Sequence, residues 1–249
     1  MSTRDIVQDV VKHTAGLGFI TSVKVTGTDE STTLDAMDAD RTVILQAKLH
    51  NNVTEFTGEF GLGNLGFLAG VSALQNYQAE DATVDVVSRE RNGVSVPDHL
   101  MFKDKDGNTD QYRFMSKEII EQTLQTVKFK GVEWDVTFEP TKAKVAELQA
   151  VAGIYGGIEP NFTVKTVDGN LIITVGAADG SFTGKRTFAM NVNGEITEGY
   201  AWPLNQVLAI LKLGMSGACV MQISKKGALM ISVDSGIGKY DYILPALTV

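Results

Sequence analysis

The chain has 249 residues, 43% hydrophobic and 21% charged, which is enough to bury one or two cores and excludes a disordered composition. No apolar run approaches the roughly 20 residues of a membrane helix, and residues 1–5 lack a secretory signal. The formal charge of −8 lies in residues 1–127, with 11 Lys and Arg against 19 Asp and Glu, whereas residues 128–249 carry 11 of each. This acidity argues against a protein that coats nucleic acid with a basic surface, so any DNA contact must be a local basic stripe.

The first half begins with an amphipathic helix, predicted over residues 2–17, that Ser2 and Asp5 can cap. On its polar side, Arg4 and Lys12 lie opposite the apolar face. The alternation of apolar residues then predicts strands over 20–26, 42–49, 53–60, 82–89, 99–104 and 111–115, with a short apolar helix over 63–76. Residues 116–125 resemble a linker with some helix, so we place a domain boundary there.

The second half repeats this order. A strand over 132–138 precedes a helix that Pro140 opens, with Lys142 and Lys144 away from its apolar face. Asp168 and Gly169 predict a hairpin turn between two strands. The predicted elements that follow are a strand over 186–191, an apolar helix over 203–213 that leaves Lys212 to solvent, and strands over 218–223, 228–233 and 240–244. The chain is therefore predicted to be α+β, with two similar domains of antiparallel sheet plus two helices each.

Sites for chemistry are sparse. Gly61, Gly63 and Gly66 match the G-x-G-x-x-G pattern of dinucleotide-binding loops, but the preceding run alternates as a half-exposed antiparallel strand does. The segment 104–110 resembles a calcium loop, but its glycine stands at the wrong position, and a hairpin turn at Asp106-Gly107 is favoured. The three histidines are far apart, and Cys219 is alone in an apolar run. The sequence predicts no catalytic residue, no metal site and no cofactor.

Two segments support a family resemblance. Pro203-Leu-Asn-Gln-Val-Leu-Ala-Ile-Leu211 resembles a helix of the DNA polymerase sliding clamps of large tailed bacteriophages and of proliferating cell nuclear antigen, and Gly66–Val71 is similar to the same element in the first half. Tyr240-Asp-Tyr-Ile-Leu-Pro-Ala-Leu247 resembles the clamp C-terminus. The order and spacing of these segments agree along the chain. The proline-rich connector of such clamps is absent.

The resemblance implies a DNA clamp fold with a first domain over 1–115, a connector over 116–127 and a second domain over 128–249. Such domains assemble as a head-to-tail homotrimer into a closed ring that encircles double-stranded DNA without sequence preference. The ring is a processivity factor for a DNA polymerase, is placed by a clamp loader and has no activity of its own. A phage protein of this kind would act in the cytoplasm of the infected host cell, away from membranes.

The resemblance also implies two sets of site residues. Helix cations that would face DNA are Arg4, Lys12, Lys142, Lys144 and Lys212. An apolar groove for polymerase or loader peptides would be formed by the connector and the tail, namely Ile119, Ile120, Leu124, Tyr242, Leu244, Pro245, Ala246 and Leu247. The tail from residue 243 onward is almost wholly apolar, and we expect it to be exposed. Two alternatives stay open: a dinucleotide-binding oxidoreductase that uses the glycine loop, and a β-rich phage structural protein.

Overall fold

The computed structural model describes residues 2–91, 93–124, 129–177 and 179–247. Contacts between Cα atoms divide it into two compact units. The first comprises Met1–Ala39, Leu45–Val127 and Gly236–Lys239, and the second comprises Asp40–Ile44, Lys128–Ser235 and Tyr240–Val249. No helix in the described ranges is long and apolar enough to cross a membrane.

The first unit combines antiparallel strands with a layer of helices. Its elements are α1 (Thr3–His13), β1 (Val23–Gly27), β2 (Thr32–Met37), β3 (Ile44–Leu49), β4 (Gly58–Leu62), α2 (Leu65–Ser72), α3 (Gln75–Gln78), β5 (Thr83–Arg91), β6 (Val94–Lys103), β7 (Thr109–Arg113) and α4 (Lys117–Leu124). The strands follow the orders β4-β1-β2-β3 and β5-β6-β7. Helix α1 packs against α2 and β5, and α4 packs against β4 and β1.

The second unit has a similar plan. Its elements are β8 (Val136–Phe138), α5 (Lys142–Tyr155), β9 (Asn161–Val167), β10 (Asn170–Gly176), β11 (Thr183–Ala189), β12 (Tyr200–Pro203), α6 (Leu204–Gly214), β13 (Ala218–Ser224), β14 (Ala228–Asp234) and β15 (Gly238–Pro245). The strands follow the orders β15-β14-β13-β8 and β11-β10-β9-β12. Helices α5 and α6 pack together, α5 against β10 and α6 against β13 and β14. The predicted α+β class, with antiparallel sheets and paired helices, is confirmed.

Caps explain where two of the helices begin. The capping box of α1 is confirmed, since Ser2 Oγ accepts from the Asp5 amide at 3.2 Å and the Asp5 carboxylate accepts from the Ser2 amide at 2.8 Å. The helix ends at His13, short of the predicted Leu17, because the chain turns through a 3-10 segment to Gly18 at φ 84°. Helix α5 begins after Pro140, with Thr141 as its cap.

Several strand predictions differ from the structure. Residues 54–56 form a 3-10 turn, and β4 begins only at Gly58, whose φ of 90° lets the chain turn there. Strand β2 lies in a segment for which we predicted no element. The two predicted hairpin turns are confirmed: β9 pairs with β10 across Asp168-Gly169, and β6 pairs with β7 across the turn that contains Gly107.

The glycine motif has a packing role in this fold. Strand β4 is antiparallel to β1, whereas a dinucleotide-binding loop requires a parallel β-α-β unit. A Cβ on Gly61 would lie 2.6 Å from the Cβ of Ile120, and one on Gly63 would lie 2.4 Å from the sulfur of Met115. The first two glycines therefore let neighbouring segments approach β4. The dinucleotide alternative is wrong for this loop because the surrounding topology is different.

Candidate functional site

The two predicted DNA-facing cations of the first unit lie on α1 and differ in their surroundings. Arg4 is half-buried, and its guanidinium donates to the backbone carbonyls of Ala79 and, at 3.3 Å, Ala82. Lys12 is exposed in the last turn of the same helix. Arg4 therefore also stabilises the segment that precedes β5. Nothing in the sequence indicated these hydrogen bonds.

The predicted cations of the second unit lie on the paired helices α5 and α6. Lys142 and Lys212 are exposed, and neither forms an ion pair within the described part of the chain. Lys144 bonds Glu147 at 2.8 Å, and the same carboxylate lies 3.6 Å from the Nε atom of Arg186. The positive charge of Lys144 is thus partly compensated, while Lys142 and Lys212 remain available to an anion.

Residues Lys117–Leu124 of the predicted connector form helix α4 of the first unit. Of its predicted partner-binding residues, Ile120 and Leu124 are buried against the sheet, and only Ile119 is exposed, at 50%. Ile120 lies against Gly61, where a Cβ would collide with it. The expectation that this segment presents all three apolar side chains is wrong for Ile120 and Leu124, because an amphipathic helix buries one face.

The C-terminal tail is also largely internal. Tyr242 and Leu244 are fully buried in β15, and the carbonyl of Leu244 accepts the Trp202 indole N–H at 3.0 Å. The expected exposure from residue 243 onward is therefore wrong for Ile243 and Leu244, and Tyr242, which we expected to line the groove, is buried as well. Pro245, the last residue of the strand, is exposed, and Ala246 and Leu247 beyond it are half-buried. The amides of Ala246 and Leu247 donate to the carbonyls of Gly227 at 2.7 Å and Ala201 at 2.9 Å.

Each unit also has a sheet edge flanked by exposed apolar side chains, which the sequence did not predict. In the first unit, β7 ends the order β5-β6-β7; Phe67 is 48% exposed and stacks on Tyr112 of β7, with ring centroids 6.4 Å apart. Leu74 is 46% exposed. Charged residues of both signs follow this edge, with Asp106 in the turn and Asp110 and Arg113 in β7.

The corresponding edge of the second unit is β11, at the end of the order β11-β10-β9-β12. The exposed side chains there are Phe182, just before β11, and Ile154 at the end of α5. A Cβ on Gly176 would touch both the Phe182 carbonyl and Tyr155, so these segments are neighbours. Strand β11 also carries Lys185 and Arg186, which makes this edge basic.

Within the described ranges, no group of three or more His, Cys, Asp or Glu side chains could hold a metal ion. The calcium-like segment is a hairpin turn in which Asp104 accepts hydrogen bonds from the Asn108 side chain at 2.7 Å and the Asn76 side chain at 2.8 Å. These bonds, with the backbone amides of Asn108 and Asp106, lower the pKa of Asp104 to about 2. The carboxylate therefore closes the turn.

No protein-family model and no curated protein matches the sequence. Solved structures do match along the whole chain. PCNA from A. fulgidus, solved with the C-terminal region of FEN-1, has a TM-score of 0.70 at 10% identity, covering 100% of this chain and 97% of that one. PCNA from Thermococcus kodakaraensis has a TM-score of 0.70 at 11% identity, covering 99% and 98%. Proliferating Cellular Nuclear Antigen from Entamoeba histolytica has a TM-score of 0.66 at 12% identity, covering 98% and 94%. The chain therefore has the PCNA-like clamp fold over its whole length.

Proposed function

We propose that the protein is a DNA sliding clamp, a non-enzymatic ring of three chains that encircles duplex DNA and tethers a DNA polymerase. The observation that carries the proposal is the clamp fold, shared over nearly the full length of both this chain and its structural neighbours. A bacteriophage source and action in the cytoplasm of the infected host cell belong to the same proposal and rest on the sequence resemblance alone.

The two sheet edges support head-to-tail assembly. Strands β7 and β11 each stand at the end of their strand order, and an open edge can pair with a strand of another chain. The β7 edge offers exposed Phe67 and charges of both signs, whereas the β11 edge offers exposed Phe182 and the basic Lys185 and Arg186. The two edges present different side chains, which favours a heterologous contact that closes into a ring over a two-fold dimer.

DNA contact would depend on few cations. We propose that the exposed Lys12, Lys142 and Lys212 face the DNA together with Arg4 and Lys144, which are half-buried and bond the Ala82 carbonyl and Glu147. Weak phosphate contacts suit a ring that must slide, since topology rather than affinity retains it. The net charge of −8 would repel DNA elsewhere on the surface.

Polymerase and clamp-loader peptides would dock on the parts of the predicted partner surface that are exposed or half-buried. These are Ile119 of the connector helix and Pro245, Ala246 and Leu247 of the tail. The structural neighbour from A. fulgidus was solved with the C-terminal region of FEN-1 bound to it, which supports capture of a partner peptide by this fold.

Chemical crosslinking around circular DNA tests the proposal without a loader. The protein is mixed with nicked circular plasmid, its lysines are crosslinked with a bifunctional succinimidyl ester, and the DNA is isolated in 1 M NaCl. We expect crosslinked protein to stay with the circle and to be released when the plasmid is cut once, because only topological linkage survives high salt.

Protein crosslinked beside plasmid that was linearised beforehand serves as the control and should be lost in the same wash. Equal retention on circular and linear plasmid, or no retention on either one, would contradict encirclement.

A further inference from the structure

A groove of about 390 Å³ opens on the first unit, between the start of β4, the β5-β6 hairpin and the beginning of α4. Its floor is apolar. Phe60 and Phe114 stack with ring centroids 4.5 Å apart, Val96 and Pro97 are half-buried, and Val94 is 61% exposed at the mouth. An exposed valine beside stacked aromatic rings offers a place for a large apolar side chain.

Cations gather around this groove. Of the 11 Lys and Arg in residues 1–127, five line it or pair with carboxylates that line it, namely Lys24, Arg89, Arg91, Arg113 and Lys117. The carboxylates are shared between them. Asp98 lies 2.8 Å from Arg89 and 3.1 Å from Arg113, and Glu59 lies 3.0 Å from both Lys24 and Lys117.

The exposed part of the cluster is mainly positive. The side chains of Arg89, Arg91 and Lys117 are 53%, 52% and 50% exposed, whereas Asp98 is 8% exposed. Burial alone would raise the pKa of Asp98, but its bond to His99 and the neighbouring arginines outweigh that and lower it. Glu118 also lines the groove, 3.9 Å from Arg91, and Glu121 lies 3.3 Å from Lys24 and 4.0 Å from Lys117, so two exposed carboxylates accompany these cations.

The groove also has a strand edge. Gly61 in β4 exchanges both backbone hydrogen bonds with Met115, at 2.9 and 2.7 Å. Antiparallel bonding repeats every two residues, so the N–H and C=O of Glu59 point the same way, into the groove. Within the described ranges those two groups have no backbone partner on that side. An extended peptide could bond there by strand addition.

We propose that this groove docks an extended peptide of a protein partner in which a large apolar side chain is flanked by carboxylates. The apolar side chain packs against Val94, Val96 and Pro97, and the carboxylates bond the guanidinium groups of Arg89 and Arg91. The apolar floor fits such a peptide better than a nucleic-acid backbone. The docking involves the first unit alone and does not depend on ring formation.

Fluorescence anisotropy with the full chain tests this. The probe is a labelled peptide Asp-Glu-Asp-Phe-Leu-Asp-Glu, with two comparison peptides that carry Lys at the acidic positions or Ala at the two apolar ones. We expect saturable binding of the first peptide, and at least tenfold weaker binding of both comparison peptides. Arg91→Glu and Val94→Asp, both at exposed positions, should each weaken binding at least tenfold.

Lys105→Glu is the matched control, since Lys105 is an exposed cation of the same unit beyond the far end of β6. It should change binding less than twofold. Amide shifts in an NMR titration should concentrate at residues 57–60, 89–91, 94–98 and 114–118.

Five outcomes would overturn the proposal: no binding at 1 mM peptide, equal binding of the Lys peptide, no loss of binding in the two groove variants, amide shifts centred elsewhere, or tighter binding of a labelled DNA duplex. Peptide binding to the first unit does not require ring formation. Failure of this proposal therefore leaves the clamp proposal untouched, and failure of the clamp proposal leaves this one untouched.

Discussion

At the scale of single residues, the glycine motif shows that one sequence pattern can occur both in a dinucleotide-binding loop and in a tightly packed segment between a strand and a helix. Gly61 and Gly63 admit Ile120 and Met115 against β4, while nothing lies within 4 Å of a Cβ built on Gly66. The sequence predicted a strand followed by a helix at this place, and both exist. It could not show which glycine has a close neighbour, because Ile120 and Met115 approach from segments far along the chain.

The three glycines should therefore respond differently to substitution. Gly61→Ala should lower the free energy of unfolding by about 1–3 kcal/mol, because the new methyl group overlaps Ile120. Gly66→Ala should raise it by up to about 1 kcal/mol, since alanine is the better helix former and the site is open. Urea titrations of both variants measure this. A destabilising Gly66→Ala with a neutral Gly61→Ala would contradict the packing role.

Asp104 gives a pH-dependent prediction. Its pKa is about 2 in the folded chain, below the ordinary 3.8, so its bonds stabilise the fold fully above pH 4 and lose that effect as the pH falls towards 2. Asp104→Asn should be less stable than the wild type at pH 7, and the difference should shrink between pH 4 and pH 2. Urea midpoints at several pH values, with exposed Asp106→Asn as control, measure it. A pH-independent difference would contradict the assignment.

At the scale of elements, the periodicity of apolar residues predicted where the helices lie, but it did not predict whether the C-terminal tail is exposed. The capped start of α1 follows from two neighbouring residues, and the predicted apolar helix at 203–213 matches α6 closely. An apolar run such as Tyr242–Leu244, by contrast, can line an exposed groove or lie in a buried strand, and its composition does not distinguish the two. Its burial is decided by Trp202 and by neighbouring strands distant in sequence, which local patterns do not encode.

Two truncations separate the buried part of the tail from the exposed part. Ending the chain after Ile243 should cost about 2–5 kcal/mol, because it removes the buried Leu244 side chain and leaves the Trp202 N–H without its acceptor. Ending it after Pro245 should cost about 1 kcal/mol, since the two lost backbone bonds are at half-buried positions. Thermal unfolding measures both. Equal losses would contradict this division of the tail.

At the scale of the whole molecule, the proposed assembly depends on the two open sheet edges. Lys185 and Arg186 make the β11 edge basic, whereas the β7 edge carries both Asp110 and Arg113. The exposed apolar side chains beside these edges escaped prediction because they are isolated residues at helix ends and in loops. Only the fold shows which of them share an edge.

Sedimentation equilibrium tests the ring most directly. We expect the 26.8 kDa chain to sediment as a trimer of about 80 kDa. Phe182→Asp and Ile154→Asp should shift it towards the monomer, because both side chains lie exposed beside the β11 edge. Val167→Asp, at an exposed site in the β9-β10 hairpin, should leave the trimer intact. A wild-type chain that stays at 26.8 kDa at high micromolar concentration would contradict the account.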